Sequence, residues 1–279
     1  MKLMCLVDNA VLSLSSFWGE HGLAVLVESR DGRVLMDTGA SAAVFLHNLE
    51  AAGIEPGTIR ALVISHGHHD HTGGLAALLE RRPGMPLYAH PDIMTERFSQ
   101  KEGKLRSIGM KMPPEELRRQ ADLRLSARPQ EILPGIWTTG EIIGRSEPEG
   151  RSPHHVLRGE AGLVPDPYRD DMSLVLETEQ GLVLVCGCCH AGLLNTLNHV
   201  EQVFGRPVVA IFGGTHLISA DAAHLERVGR RLREMPALKA VYPNHCTGER
   251  ALFHLMNVLG PEVVHGWPAG STLDLEPSV

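Results

Sequence analysis

The chain has 279 residues, 43% hydrophobic and 21% charged, the balance of a globular protein able to bury a sizeable core. Its formal net charge is −7 and its basic residues are scattered, which argues against a nucleic-acid surface. No apolar run approaches the roughly 18 residues of a membrane span. Five cysteines, three of them crowded at Cys186, Cys188 and Cys189 beside the distant Cys5 and Cys246, do not form a disulfide framework. The expected compartment is therefore a reducing cytoplasm, and the expected partner a small molecule.

Residues 2–7 read as a strand ending at Asp8-Asn9, not as a secretory signal. Runs at 23–28 and 34–36 flank Asp31-Gly32, a hairpin signal. Residues 41–52 read as a helix with Ser41 as cap and Gly53 as stop. A short buried strand at 61–64 runs into a histidine-rich loop, and a helix follows at 75–80. Residues 91–170 are polar and rich in Pro, Gly, Arg and Glu. They read as an insertion of helices and long loops within one domain spanning 1–279, in the role of a lid or binding loop. Alternation then resumes. Strands are expected at 173–177, 182–186, 208–212 and 240–242, helices at 193–203 and 222–233, and edge strands at 263–264 and 271–273.

The loop Ser65-His66-Gly67-His68-His69-Asp70-His71-Thr72-Gly73-Gly74 puts four imidazoles and a carboxylate into six residues. Burying such a run is costly unless something uses the lone pairs. Imidazole and carboxylate suit Zn²⁺, with Mn²⁺, Fe²⁺ or Mg²⁺ as alternatives. In an extended segment, residues two apart point the same way, so His66 and His68 can chelate one ion. Asp70 and His71, at the turn into a helix, can face a second. Farther on, Phe212-Gly213-Gly214-Thr215-His216-Leu217 is a glycine-bearing strand end that brings His216 to the same rim, for substrate contact or proton transfer.

The pattern His-x-His-x-Asp-His resembles that of the metallo-β-lactamase superfamily. The resemblance implies a four-layer αββα sandwich, with His66 and His68 on one metal and Asp70 and His71 on another. His69 fills a variable position. Asp37, in Met36-Asp37-Thr38-Gly39, matches a strand-end carboxylate that supports the loop. His245 matches a late histidine ligand. At the end of the strand near 182–188, Cys188 stands where the superfamily has a bridging Asp, and His190 is the candidate third ligand of the first metal. His154-His155 is the alternative. Cys186 and Cys189 read as packing, and one or two ions remain open.

Further segments narrow the resemblance: Asp8-Asn9, Glu20-His21-Gly22-Leu23, Asp170-Asp171, Gly187 to Gly192, Gly213 to Leu217 and His245-Cys246-Thr247-Gly248. In this order they look like the branch containing an archaeal dihydropterin-methyl-ribofuranosyl-aminobenzene-phosphate synthase. The leading expectation is a metallo-hydrolase acting on an ester, phosphoester or related bond, with Asp70 orienting the attacking water and His216 assisting the leaving group. The alternatives are a synthase-like transferase for phosphorylated pterins and a non-catalytic metal or ligand sensor. The transferase predicts a wide pocket walled by residues 91–170.

Overall fold

The computed structural model describes residues 1–275. It begins with an antiparallel meander of β1 (Lys2–Val7), β2 (Ala24–Ser29) and β3 (Gly32–Met36). Helix α1 (Ala42–Ala51) leads to β4 (Ile59–Val63). Helices α2 (His69–Thr72) and α3 (Leu75–Arg81) lead to β5 (Met85–Ala89). These crossovers make β3, β4 and β5 parallel. The expected cap is present: the Ser41 hydroxyl accepts from the Val44 N–H, and Gly53 turns the chain at φ +66°.

Residues 91–170 depart from the helix-and-loop expectation. Their one α-helix is α4 (Pro114–Gln120). Strands dominate instead: β6 (Arg97–Lys101), β7 (Lys104–Ser107), β8 (Ala121–Leu125), β9 (Glu131–Leu133), β10 (Ile136–Thr138), β11 (His155–Gly159) and β12 (Gly162–Pro165). β7 and β12 are exposed along their whole length, so no apolar alternation marks them in the sequence. β8 pairs with β5, while β9 and β10 extend another sheet. The remaining four form a small antiparallel sheet ordered β12-β11-β6-β7.

The last third supplies β13 (Ser173–Thr178), β14 (Gly181–Cys186), α5 (Leu193–Phe204), β15 (Val208–Gly214), α6 (Ala222–Arg233), β16 (Ala240–Asn244), α7 (Glu249–Leu259) and β17 (Thr272–Asp274). β14, β15 and β16 are parallel. The expected strand at 263–264 is reduced to a single bridge between Val241 and Val264, and α7 had no sequence expectation.

The two large sheets are ordered β17-β1-β2-β3-β4-β5-β8 and β16-β15-β14-β13-β10-β9. Strand alternation sorts their apolar residues into layers. Val25, Val27, Val34, Met36 and Val63 meet Leu174, Leu176, Val183, Val185 and Phe212 between the sheets. The opposite faces carry Leu26, Leu35 and Leu62 against Phe45, Leu75 and Leu78 on one side. Leu182, Leu184 and Ile211 pack against Leu197, Val228 and Leu255 on the other. The result is helix, sheet, sheet, helix, the αββα sandwich the resemblance implied. Both parallel blocks bring their carboxyl ends to one edge, where open α/β sheets place their sites.

Candidate metal centre

Asp37 follows β3, His66 follows β4, Cys188 and His190 follow β14, His216 follows β15 and His245 follows β16. The backbone is locally unusual here. Seven described non-glycine residues have left-handed backbone, and five of them (Asp37, Tyr168, Cys189, His216 and His245) lie at this edge. Such conformations persist only where surrounding contacts enforce them, and they concentrate at functional sites. Gly214 admits no side chain, because a Cβ would strike Cys246 Sγ at 2.7 Å.

His66, His68 and His190 form one set, with ligand atoms mutually within 4.8 Å. Ser65 Oγ donates to Asp37 Oδ2 (2.7 Å), so it accepts from His66 Nδ1 (2.9 Å) and leaves the His66 Nε2 lone pair free. That lone pair faces His68 Nδ1 at 3.1 Å. His190 Nδ1 donates to the Gly150 carbonyl (3.2 Å), and its Nε2 is buried with no hydrogen-bond partner among the described residues. Converging, unpartnered lone pairs are costly unless a cation satisfies them. Burial first, then the neighbouring imidazoles, hold His66 and His190 well below the usual histidine range, so both are neutral and ready to ligate.

A second set surrounds Asp70. His21 Nε2, His245 Nε2 and His71 Nε2 lie 3.4, 3.6 and 3.9 Å from Asp70 Oδ2. His71 Nδ1 donates to Asp37 Oδ2 (2.7 Å), which turns its Nε2 inward to within 3.2 Å of Cys188 Sγ. Cys188 falls within 4.8 Å of His66 and His71 on one side and of His245 and Cys246 on the other. It thus occupies the space between the sets. Burial pushes Asp70 up, but the imidazoles of His71, His245, His68 and His21 outweigh that and hold it well below the carboxylate range. Burial lowers His71, yet Asp37 and Asp70 on either side raise it to about 9. A cation at its Nε2 would compete with that proton. Burial and the adjoining Cys246 raise the Cys188 thiol. A bound cation reverses that direction, so thiol, imidazole and carboxylate together fit a borderline divalent metal.

The segments that marked the branch turn out to be clamps. Asp8 Oδ1 accepts from the His245 N–H (2.8 Å), and Asn9 Oδ1 accepts from His245 Nδ1 (3.2 Å). Asp170 Oδ2 accepts from the Gly67 N–H (2.7 Å) and its other oxygen pairs with Arg97 Nη2 (2.7 Å). Asp171 Oδ2 accepts from the Ala191 N–H (2.8 Å), beside His190. Glu20 accepts from the Ala40 and Ser41 N–H groups at 2.8 and 2.9 Å, fixing the residue before His21. These side chains orient the backbone that carries the candidate ligands.

Both sets open into a cavity of 830 Å³. His216 lines it, with its ring 4.3 Å from that of His190, and burial pushes its pKa down to about 4. His155 lines it too but joins neither set. Its Nδ1 bonds the Tyr168 hydroxyl (2.8 Å), and Tyr168 stacks on His190 at 4.2 Å. His190, rather than the His154-His155 pair, completes the first set. Cys186 and Cys189 lie in the apolar core, as the sequence implied. Sequence reasoning missed His21 and Cys246 as members of the second set, and Tyr168 as the wall behind His190. His21 lies between Glu20 and Gly22, with no metal-ligand spacing to mark it.

Residues 18–164 match the family described as the metallo-beta-lactamase superfamily. A 7,8-dihydropterin-6-methyl-4-(β-D-ribofuranosyl)-aminobenzene-5′-phosphate synthase of Methanocaldococcus jannaschii is 31% identical over 262 residues, covering 90% of this chain and 89% of that protein. An uncharacterised protein of the same archaeon is 28% identical, covering 90% and 92%. Among solved structures, Tm1679, described as a metal-dependent hydrolase of the β-lactamase superfamily, superposes with a TM-score of 0.85 at 27% identity over 99% of both chains. With its sandwich, its histidine loop and its two ligand sets at one sheet edge, the chain belongs to the metallo-β-lactamase superfamily.

Proposed function

We propose that this protein is a metal-dependent transferase of the pterin-phosphate synthase type. It would join a dihydropterin activated as its diphosphate to a second, phosphorylated small molecule. The observation that carries this reading is the cavity. At 830 Å³ it has room for two substrates, and one of its walls comes from residues 91–170, through Lys101, Arg106, Ile108 and Arg151 to His155. The 31% identity to a named synthase supports the same reading.

In this proposal His66, His68 and His190 hold one ion. Asp70, His71 and His245 hold a second, with Cys188 between them. Zn²⁺ suits this mixture of nitrogen, sulfur and oxygen donors. Ions held there would supply positive charge against a departing diphosphate. Asp37 fixes the tautomers of His66, through Ser65, and of His71. Asp70 orients the incoming nucleophile from the cavity floor. His216, on the adjoining wall, is neutral and holds the leaving group through its ring N–H.

Hydrolysis is the second reading, favoured by the 0.85 TM-score to a metal-dependent hydrolase. Water would then replace the second substrate at the same site. The deciding experiment incubates metal-replete protein with dihydropterin diphosphate, alone and with an aminobenzene ribosyl phosphate, and follows products by mass spectrometry. Coupled product supports the transferase. Free hydroxymethyl-dihydropterin formed at the same rate in both reactions replaces it with the hydrolase. Binding with no turnover of either substrate replaces both with a sensor.

A further inference from the structure

The small sheet β12-β11-β6-β7 has no place in the four-layer core, yet it is fastened to the histidine loop. The His69 N–H donates to the Ile108 carbonyl (2.9 Å), just past β7. The Ile108 N–H donates to the Arg97 carbonyl (2.9 Å), and His68 bridges Gly109. Arg97, buried at 2% exposure, pairs with Asp166 at 3.2 Å and Asp170 at 2.7 Å, and Asp170 in turn holds Gly67. The sheet's position over the metal centre is therefore set by backbone hydrogen bonds and a buried ion cluster.

Strand register then decides what this sheet presents. His155 pairs with Ser99 and Ser99 with Arg106, so these three lie in one row on one face. Lys101 pairs with Lys104 in the next row of the same face, two residues along each strand. His155, Lys101 and Arg106 line the cavity that holds the ligand sets. Lys101, Lys104 and Arg106 have no acidic partner among the described residues, although the chain carries an excess of seven negative charges. Arg151, on the same cavity, is different: it pairs with Glu149 at 2.7 Å. Unpaired cations from two strands, on a fixed face above a metal centre, repel one another unless an anion lies between them.

We propose that Lys101 and Arg106 form a phosphate-monoester subsite, which receives the terminal phosphate of a substrate whose reacting end lies at the metal centre. The proposal rests on the enzyme reading above and adds to it the chemistry of the far end of the substrate. An ammonium and a guanidinium from adjacent strands suit a tetrahedral dianion, with charge-assisted donors from two directions. A diphosphate leaving group belongs instead to the metal side of the cavity.

The test is isothermal titration of the metal-replete full chain with ribose 5-phosphate, ribose and inorganic pyrophosphate. Wild type is expected to bind ribose 5-phosphate and to discriminate against ribose. The double variant Lys101→Ala/Arg106→Ala is expected to lose about tenfold or more in affinity for ribose 5-phosphate. Its metal content and its affinity for pyrophosphate should stay at wild-type values. Lys101→Arg/Arg106→Lys should retain most of the binding. Unchanged ribose 5-phosphate affinity in the alanine pair overturns the subsite. So does an equal loss of pyrophosphate affinity, or failure of wild type to prefer the phosphorylated sugar. If no coupled pterin product forms but the ribose 5-phosphate loss is seen, the subsite stands and the transferase reading falls.

Discussion

Cys188 Sγ lies 3.2 Å from His71 Nε2, in the space between the two ligand sets. A thiolate there would favour soft or borderline ions over hard ones. Cys188→Ala is expected to lower bound zinc by about half while the His66, His68 and His190 set stays filled. Cys188→Asp, which puts a hard oxygen at this position, is expected to restore the second ion and raise the share of Mn²⁺. Metal content by plasma mass spectrometry after dialysis against mixed Zn²⁺ and Mn²⁺ checks both. Unchanged zinc in the alanine variant would remove Cys188 from the site.

Asp37 is fully buried and accepts from Ser65 N–H, Ser65 Oγ and His71 Nδ1. Asp37→Ala orphans those donors, so a stability loss on the order of 3–5 kcal/mol is expected, together with loss of metal. Asp37→Asn keeps an acceptor but offers a donor where Ser65 or His71 needs an acceptor, so its cost should be smaller. Denaturant midpoints of the proteins stripped of metal by chelator give the ranking. An alanine variant as stable as wild type would contradict it.

His21 reaches Asp70 at 3.4 Å and stacks against His245 at 5.0 Å. Its own side chain is 65% exposed, so its removal should leave the fold intact. His21→Ala is expected to weaken the second ion by about 10–100-fold, the range of an outer or weak ligand. Chelator competition monitored with Co²⁺ absorption would show one weakened phase and one unchanged phase.

Arg97→Met leaves Asp166 and Asp170 buried without their cation. The expected loss is about 3–5 kcal/mol, and the small sheet and the Gly67 clamp should loosen together. Hydrogen exchange at residues 97–109 and 66–71 should rise in concert. A rise confined to one segment would show that the two are not coupled.

Asp171 is buried, and burial raises its carboxyl from 3.8 to about 7. Between those values the folded protein holds a proton that the unfolded chain has released. This contribution is therefore largest below pH 3.8 and declines as pH rises to about 7, beyond which it is constant. Asp171→Asn keeps an acceptor for the Ala191 N–H and should flatten that decline. Urea midpoints across pH 4–8 measure the slope, and identical slopes in both proteins would refute the assignment.

Much of the site was legible in the sequence because its chemistry is local. His66, His68, Asp70 and His71 fall within six residues, where spacing alone says which side chains share a direction. The strands that deliver Cys188, His216 and His245 were legible because each is an apolar run with a turn at its end. The small sheet was not legible. β7 and β12 are exposed on both faces and carry no apolar period, so their pairing with β6 and β11 follows from long-range hydrogen bonds.

By itself the sequence determined the alternation of strands and helices and the first four candidate ligands, because burial periodicity and short-range chelation are properties of neighbours along the chain, while the layered sandwich was implied by the family resemblance. Tertiary structure decided the rest. It placed Cys188 between the two sets, turned Asp8, Asn9, Asp170 and Asp171 into clamps, brought His21 to Asp70, and set Lys101 and Arg106 over the cavity. Each of these depends on segments far apart in sequence meeting at one sheet edge, and only the packing of the two sheets fixes those distances.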